Sequence, residues 1–209
     1  MTSVTQSKKE ELLTKLDINY DVYSRTTDVQ ITPGWNSNNP NFTNLVPRGE
    51  GKVCIEVGSW TGGSAKTIAG LLRPSSCLIC CDTFLGSVEH FVEKEIAVPR
   101  FEDGRPALFE MFIKNTEEHR DKILPMQTTS TVLYDILVHH DLFVDFVYID
   151  GDHAADVVER DIIQYYSRLN PGGVLLGDDH NLEGVERGLK ATGLKYVVNS
   201  GQFIINKPL

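Results

Sequence analysis

From residue 53 onward, short apolar runs alternate with stretches of helical spacing. VCIEV (53–57), CLICCD (77–82), KILPMQ (122–127), VDFVYID (144–150) and GGVLLGD (172–178) are the apolar runs, each closed by a polar residue or a glycine. Continuous apolar runs of this length, bounded by turn residues, predict strands buried on both faces. Residues 62–73, 107–120, 130–139, 154–168 and 182–191 lie between or after them and predict helices. Ile68, Leu71 and Leu72 share one face of the first; Leu108, Phe112 and Met111 recur at helical spacing in the second. The chain ends with KYVVN, the turn Ser200-Gly201, and QFIIN. Strands joined by so tight a link must run antiparallel. Strand–helix alternation therefore predicts an α/β fold: a seven-stranded, mostly parallel sheet with helices on both faces and a C-terminal antiparallel hairpin.

Upstream the pattern is weaker. Residues 7–16 predict a short polar helix. Residues 17–50 carry Pro33, Gly34, Pro40, Pro47 and several Asn. So long an irregular stretch is either disordered or a functional cover. The expected organisation is residues 1–50 as helix and cover, and 51–209 as the α/β domain.

Composition narrows the function. The chain has 209 residues, 41% apolar and 23% charged, which suits one globular domain. Its net charge of −9 argues against nucleic acid as a main partner, because phosphate binding needs a basic footprint. No apolar run is long enough to span a membrane, and the polar N-terminus lacks the apolar core of a signal peptide. Cys54, Cys77, Cys80 and Cys81 lie in or beside the apolar runs. Cys77-x-x-Cys80 has no second Cys/His pair at ligand spacing, so the four read as core cysteines of a reducing, cytoplasmic compartment. Asn41-Phe-Thr43 fits a glycosylation acceptor, but without a secretory signal it reads as chance.

The first strand runs into Glu56-Val-Gly58-Ser-Trp-Thr-Gly62-Gly63-Ser64. Glycines between a strand and a helix let the backbone approach a ligand, or simply make a tight turn; the helix N-terminus then offers free N–H groups to an anion. The spacing G-x-x-x-G fits neither the dinucleotide fingerprint nor the phosphate loop. The second strand ends in Asp82. At the carboxyl end of a strand in an open α/β sheet, an acid can accept both hydroxyls of a ribose, or it can cap a helix.

Taken with YIDGDH and LNPGGVLLGDDHNLEGV, the segments EVGSWTGGS and CCDTFLGS resemble the class I S-adenosylmethionine (SAM)-dependent methyltransferases over roughly residues 51–206. The fold implied is Rossmann-like, with the reversed terminal strand typical of that class. Within it, the chain most resembles the branch of macrolide-sugar and rhamnosyl O-methyltransferases and cephalosporin-hydroxylase-like proteins. The resemblance implies that Gly58, Gly62 and Ser64 hold the methionine portion of SAM, with Glu56, Ser59 and Trp60 in the same turn. It implies Asp82 and Thr83 at the ribose, Phe84 near the adenine, and Gln127, Thr128 and Ser130 beside the adenine ring.

The third feature is acidic. Asp150-Gly-Asp152-His153 ends one predicted strand and Asp178-Asp179-His180 ends the next. Neighbouring strands lie about 5 Å apart, so these carboxylates converge. Their repulsion raises pKa values unless a cation neutralises it, and oxygen ligands favour a hard ion. By resemblance to metal-dependent O-methyltransferases, Asp150, Asp178 and Asp179 would hold Mg²⁺ or Mn²⁺, Asp150 would also lie against SAM, and His153 would be the general base. Asp152, Asp179 or Asn181 could instead cap the helices that follow.

The expected reaction is Mg²⁺-dependent methyl transfer from SAM to a hydroxyl of a glycan or glycosylated small molecule. Aromatics in 17–50 (Tyr20, Tyr23, Trp35, Phe42) and in 83–106 (Phe84, His90, Phe91, Arg100, Phe101, Arg105) are candidate acceptor contacts. The rival readings are a metal-independent or catechol-type enzyme, a non-methylating hydroxylase-like protein, and a SAM-fold interaction module. Oligomers are common in this branch, but no segment marks an interface.

Overall fold

The computed structural model describes residues 6–18, 22–24, 39–87, 101–102 and 105–209. Tyr20, Trp35, His90, Phe91 and Arg100 lie outside them, as do the side chains of Phe101 and Arg105.

The sheet is built from β1 (Val53–Val57), β2 (Cys77–Asp82), β5 (Ile123–Gln127), β6 (Val144–Ile149), β7 (Leu169–Gly177), β8 (Val197–Asn199) and β9 (Gln202–Asn206). Its order is β5-β2-β1-β6-β7-β9-β8. The first five pair in parallel, and β9 pairs antiparallel with β7 and β8. A two-residue pair, β3 (Phe101–Glu102) and β4 (Arg105–Pro106), lies outside the sheet. The hairpin turn is formed by Ser200 (φ 52°) and Gly201 (φ 81°). Two successive positive φ values match the twist of the flanking strands.

Strand residues alternate between two cores. Ile55, Val57, Ile79, Val147, Ile149 and Leu175 face one, shared with Leu12 of α1 (Lys8–Lys15), α5 (Ser130–His139), α6 (Ala155–Ser167) and α7 (Glu183–Ala191). Cys54, Leu78, Cys80, Phe146, Tyr148 and Leu176 face the other, under α2 (Pro40–Leu45), α3 (Gly63–Leu71) and α4 (Leu108–Thr116). Period-two alternation inside continuous apolar runs is what burial on both faces demands. The cysteines follow it: Cys77 and Cys81 enter one core, Cys54 and Cys80 the other, and all four are free and buried. Burial pushes the Cys77 thiol up to about 12, so it is an inert packing group.

The fold is the Rossmann-like α/β arrangement expected, with two differences. The second predicted helix ends at Thr116 and continues as a 3-10 turn, Glu117–His119. The stretch 17–50 is not wholly irregular, because α2 forms within it. Asn39 caps α2 through the Asn41 N–H, and Pro40 occupies its first turn, where a missing N–H costs nothing. Asn41 is buried and hydrogen-bonded, consistent with a chance glycosylation match.

From β1 the chain moves outward to β2 and β5, then returns to place β6 on the other side of β1. The crevice at the carboxyl ends of β1 and β6 is therefore the switch point, where α/β sheets bind ligands.

Candidate active site

The turn after β1 is held by its neighbours. Gly58 donates its N–H to the Cys81 carbonyl at 2.9 Å, and Asp150 donates to the Val57 carbonyl at 2.8 Å. A Cβ at Gly58 would sit 1.8 Å from the Asp150 carbonyl oxygen. At Gly62 it would sit 2.6 Å from Thr116 Cγ2 and 3.1 Å from the Phe112 ring. Both glycines have positive φ, 88° and 89°. The close approach that demands them is thus the protein's own, which is the tight-turn reading. The N-terminus of α3 follows directly, with no side-chain cap on its N–H groups.

Asp82 ties this turn to the next. Its Oδ2 accepts from the Trp60 N–H at 2.8 Å, and its Oδ1 from the Phe84 N–H at 2.6 Å. The first bond holds Trp60 at φ 40° and the second holds Phe84 at φ 53°. Such left-handed non-glycine residues persist only where surrounding contacts impose them, and they gather at functional sites. The Phe84 turn drives its ring into the core, 5.0 Å from Phe109 and 5.1 Å from Phe112, with 1% exposure. Phe84 is therefore a core residue at the carboxyl end of β2. Gln127 Nε2 donates to the Thr83 carbonyl at 3.1 Å, and the Thr128 N–H to the Asp82 carbonyl at 2.9 Å. Ser130 Oγ is turned toward Asp161 Oδ1 at 3.0 Å. Thr129, not singled out from sequence, caps α5 through the Val132 N–H.

Two polar atoms of the turn, Glu56 Oε2 and Thr61 Oγ1, are buried without a hydrogen-bond partner within 3.5 Å. Ser64 donates to the other Glu56 oxygen at 2.5 Å. Burial raises the Glu56 carboxyl to about 7, against the pull of hydrogen bonds from Ser59 and Ser64. Unpaired buried polar atoms cost free energy unless a ligand or water satisfies them.

Across the switch point lies the acid cluster. Asp150, His153 and Asp179 each offer a ligand atom, all within 4.8 Å of one another. His153 Nε2 is 3.1 Å from Asp179 Oδ2. The Asp150 carboxyl is raised to about 7, first by burial and then by Asp178 and Asp179. Asp178, expected beside them, is turned back: its Oδ2 accepts from Tyr148 at 2.5 Å and Gln202 Nε2 at 3.1 Å, and its Oδ1 from the Asp179 N–H at 2.9 Å. The same Tyr148 hydroxyl lies 3.0 Å from Asp150 Oδ2. Asp179 has φ 55°, so the two successive carboxylates diverge. Asp152 accepts from the Ala154 N–H at 2.7 Å, ahead of α6. Neither Asp179 nor Asn181 caps α7, whose N-cap is Leu182 without a side-chain bond. A Cβ at Gly184 would meet the His153 carbonyl at 2.1 Å, so α7 presses directly on the His153 backbone. His180 is half-buried, with its ring 6.1 Å from Tyr196. Tyr148 and Gln202 were missed from sequence, because inside apolar strands they show no pattern of their own.

A family model described as a methyltransferase domain matches residues 55–180. The chain belongs to this methyltransferase family. The match spans β1 through the acid cluster and so includes both halves of the crevice. No curated protein sequence matches the chain. Among solved structures, this methyltransferase is similar to a Bacillus cereus O-methyltransferase in complex with SAH, at 14% identity and TM-score 0.56, covering 97% of each chain. It is also similar to the O-methyltransferase TomG of Streptomyces achromogenes, involved in tomaymycin synthesis and in complex with SAM. There the identity is 15% and the TM-score 0.52, covering 75% of this chain and 73% of that one. A calicheamicin methyltransferase, CalS11, aligns at 14% identity and TM-score 0.55, covering 74% and 72%. At these identities the likeness establishes the fold, the class I methyltransferase arrangement. Among the described residues no helix is long and apolar enough to cross a membrane.

Proposed function

We propose that this methyltransferase moves a methyl group from SAM to a hydroxyl oxygen of a small-molecule or glycan acceptor, with a divalent cation, Mg²⁺ or Mn²⁺, held at the acid cluster. The observation that carries the reading is the convergence of Asp150, His153 and Asp179 beside the glycine turn. A cation there would offset the repulsion that helps to raise the Asp150 carboxyl.

The residues present fit both groups. Glu56 Oε2 is a buried acceptor without a partner, suited to the ammonium of the methionine portion. Gly58, Ser59, Trp60, Gly62 and Ser64 form the surrounding turn, and Asp82, Thr83, Gln127, Thr128 and Ser130 line the route toward ribose and adenine. Asp150 and Asp179 are the carboxylates for the cation. Bound SAM supplies an electrophilic methyl, and a bound cation lowers the pKa of a hydroxyl it touches. His153 then takes the hydroxyl proton, because imidazole is the side chain whose ordinary titration range lies near neutrality. A second reading, favoured by its place in the cluster, makes His153 the third cation ligand. His153→Ala separates the two: a base slows the single-turnover step and leaves Mn²⁺ affinity intact, whereas a ligand weakens it.

The acceptor we infer is a sugar hydroxyl with a vicinal oxygen to chelate the cation. Its support is the resemblance to the sugar O-methyltransferase branch. Residues 1–50 would form part of its cover over the 51–209 domain. The test is calorimetric titration of SAM with and without Mg²⁺, then methyl transfer to free sugars, glycan-linked sugars and catechols, each with and without chelator. SAM binding and chelator-sensitive transfer to a sugar are expected. Undiminished transfer in chelator removes the cation. Transfer to catechols alone moves the acceptor class, and no SAM binding overturns the whole reading.

A further inference from the structure

A line of amides, exposed at Asn199 and buried at Asn41 and Gln202, runs into the acid cluster from behind. Asn199 Nδ2 donates to Asn41 Oδ1 at 2.9 Å, and Asn41 Nδ2 donates to Gln202 Oε1 at 3.0 Å and to the Asn199 carbonyl at 2.9 Å. Gln202 Nε2 then donates to Asp178 Oδ2, which also accepts from the Tyr148 hydroxyl, itself 3.0 Å from Asp150. Asn41 is 1% exposed and Gln202 fully buried. Each amide is oriented by the one before it: because Asn41 donates to Gln202 Oε1, only Nε2 is left to face the carboxylate. The neighbouring residue on α2, Phe42, packs edge-on against Tyr148, with ring centroids 4.9 Å apart. Asn39 adds a third tie, donating to the Ser200 carbonyl at 2.9 Å.

We propose that Asn41 and Gln202 are positioning residues of the acid cluster: they fix Asp178 and, through Tyr148, the carboxylate of Asp150, so that α2 and the C-terminal hairpin set the geometry at which a cation is held. This rests on the cation reading above. Two repelling carboxylates do not hold a common orientation unaided, and groups hydrogen-bonded behind metal ligands set their orientation and affinity. Asn41 reaches one carboxylate through Gln202, and Phe42 braces the tyrosine that bridges both.

The test uses the intact protein, reading Mn²⁺ affinity from the free-ion electron paramagnetic resonance signal, SAM affinity by calorimetry, and Tm. Gln202→Met keeps volume and removes both hydrogen bonds; Asn41→Ala leaves strand β9 untouched and serves if the first variant does not fold. Mn²⁺ affinity should fall about ten-fold or more in Gln202→Met, and by less in Asn41→Ala, with SAM affinity retained. In the double variant the losses should not add, because the residues act in one line. A fall in Tm with Mn²⁺ affinity unchanged makes the amides structural glue and overturns the proposal alone. A wild-type protein that binds no Mn²⁺ overturns the cation reading and the positioning role together.

Discussion

The two sides of the crevice are built on different physics. At the end of β1 the constraint is steric: Gly58 lies where a single added carbon would strike the Asp150 carbonyl oxygen at 1.8 Å. At the ends of β6 and β7 it is electrostatic: carboxylates converge, and Tyr148 and Gln202 hold them in place. The sides share one segment, since the Asp150 backbone closes the glycine turn while its side chain joins the acid cluster. Steric change on one side and charge change on the other should therefore fail in different observables.

The largest effect belongs to the steric side. Gly58→Ala combines a φ of +88° with a backbone collision that no side-chain movement relieves. It should cost about 3–5 kcal/mol of stability, read by urea unfolding. A loss below about 1 kcal/mol would mean that β1 and β6 separate easily, and the switch point is not the rigid junction described.

Next comes the charge side. Asp150→Ala should lower methyl transfer about a hundred- to a thousand-fold, the scale of losing one strong electrostatic contact to the reacting centre. SAM affinity should survive, because Glu56 and Asp82 are untouched. Normal turnover in this variant would remove the cluster from the chemistry.

Glu56 crosses the division, a charge on the steric side. Its folded pKa of about 7 lies above the ordinary 4.5, so the folded state holds a proton that the unfolded state releases between those values. Its contribution is fully present below pH 4.5 and is lost as pH rises through 7. Glu56→Gln keeps the neutral shape, so it should flatten part of this slope and exceed wild type at pH 8 by about 2–3 kcal/mol. Urea unfolding at pH 5 and pH 8, without ligand or divalent ions, checks it; equal slopes would show the carboxylate is relieved by water. Asp82→Ala should weaken SAM by about 1.5–3 kcal/mol while Mn²⁺ binding persists. Because Asp82 also receives the Trp60 and Phe84 N–H groups, its Tm should fall as well. Unchanged SAM affinity would leave Asp82 with that structural role alone.

The same division explains what was legible in the sequence. Strands buried on both faces announce themselves as apolar runs, and glycines or acids at their ends follow from topology. The side-chain directions did not follow. Asp178 and Asp179 are adjacent letters, and only the left-handed Asp179 decides that one carboxylate faces His153 while the other turns to Tyr148 and Gln202. The ring direction of Phe84 is equally hidden: with φ 53° it packs in the core. Helix α2 is six residues long, too short for a periodic signal, so Asn41 stands out in the sequence only as a chance glycosylation match.

The smallest prediction isolates the steric term. Gly201 has a φ of +81°, close to that of Gly58, but an added Cβ there meets nothing within 4 Å. Gly201→Ala should therefore carry only the left-handed backbone cost, about 1–2 kcal/mol, offset in part by a less flexible unfolded chain. Urea unfolding of the two alanine variants side by side separates strain from collision. If Gly201→Ala costs as much as Gly58→Ala, backbone conformation alone accounts for the glycine turn. A clear gap between them makes contact with Asp150 the reason that β1 must end in glycine, and ties the steric side of the crevice to the residue that anchors the other.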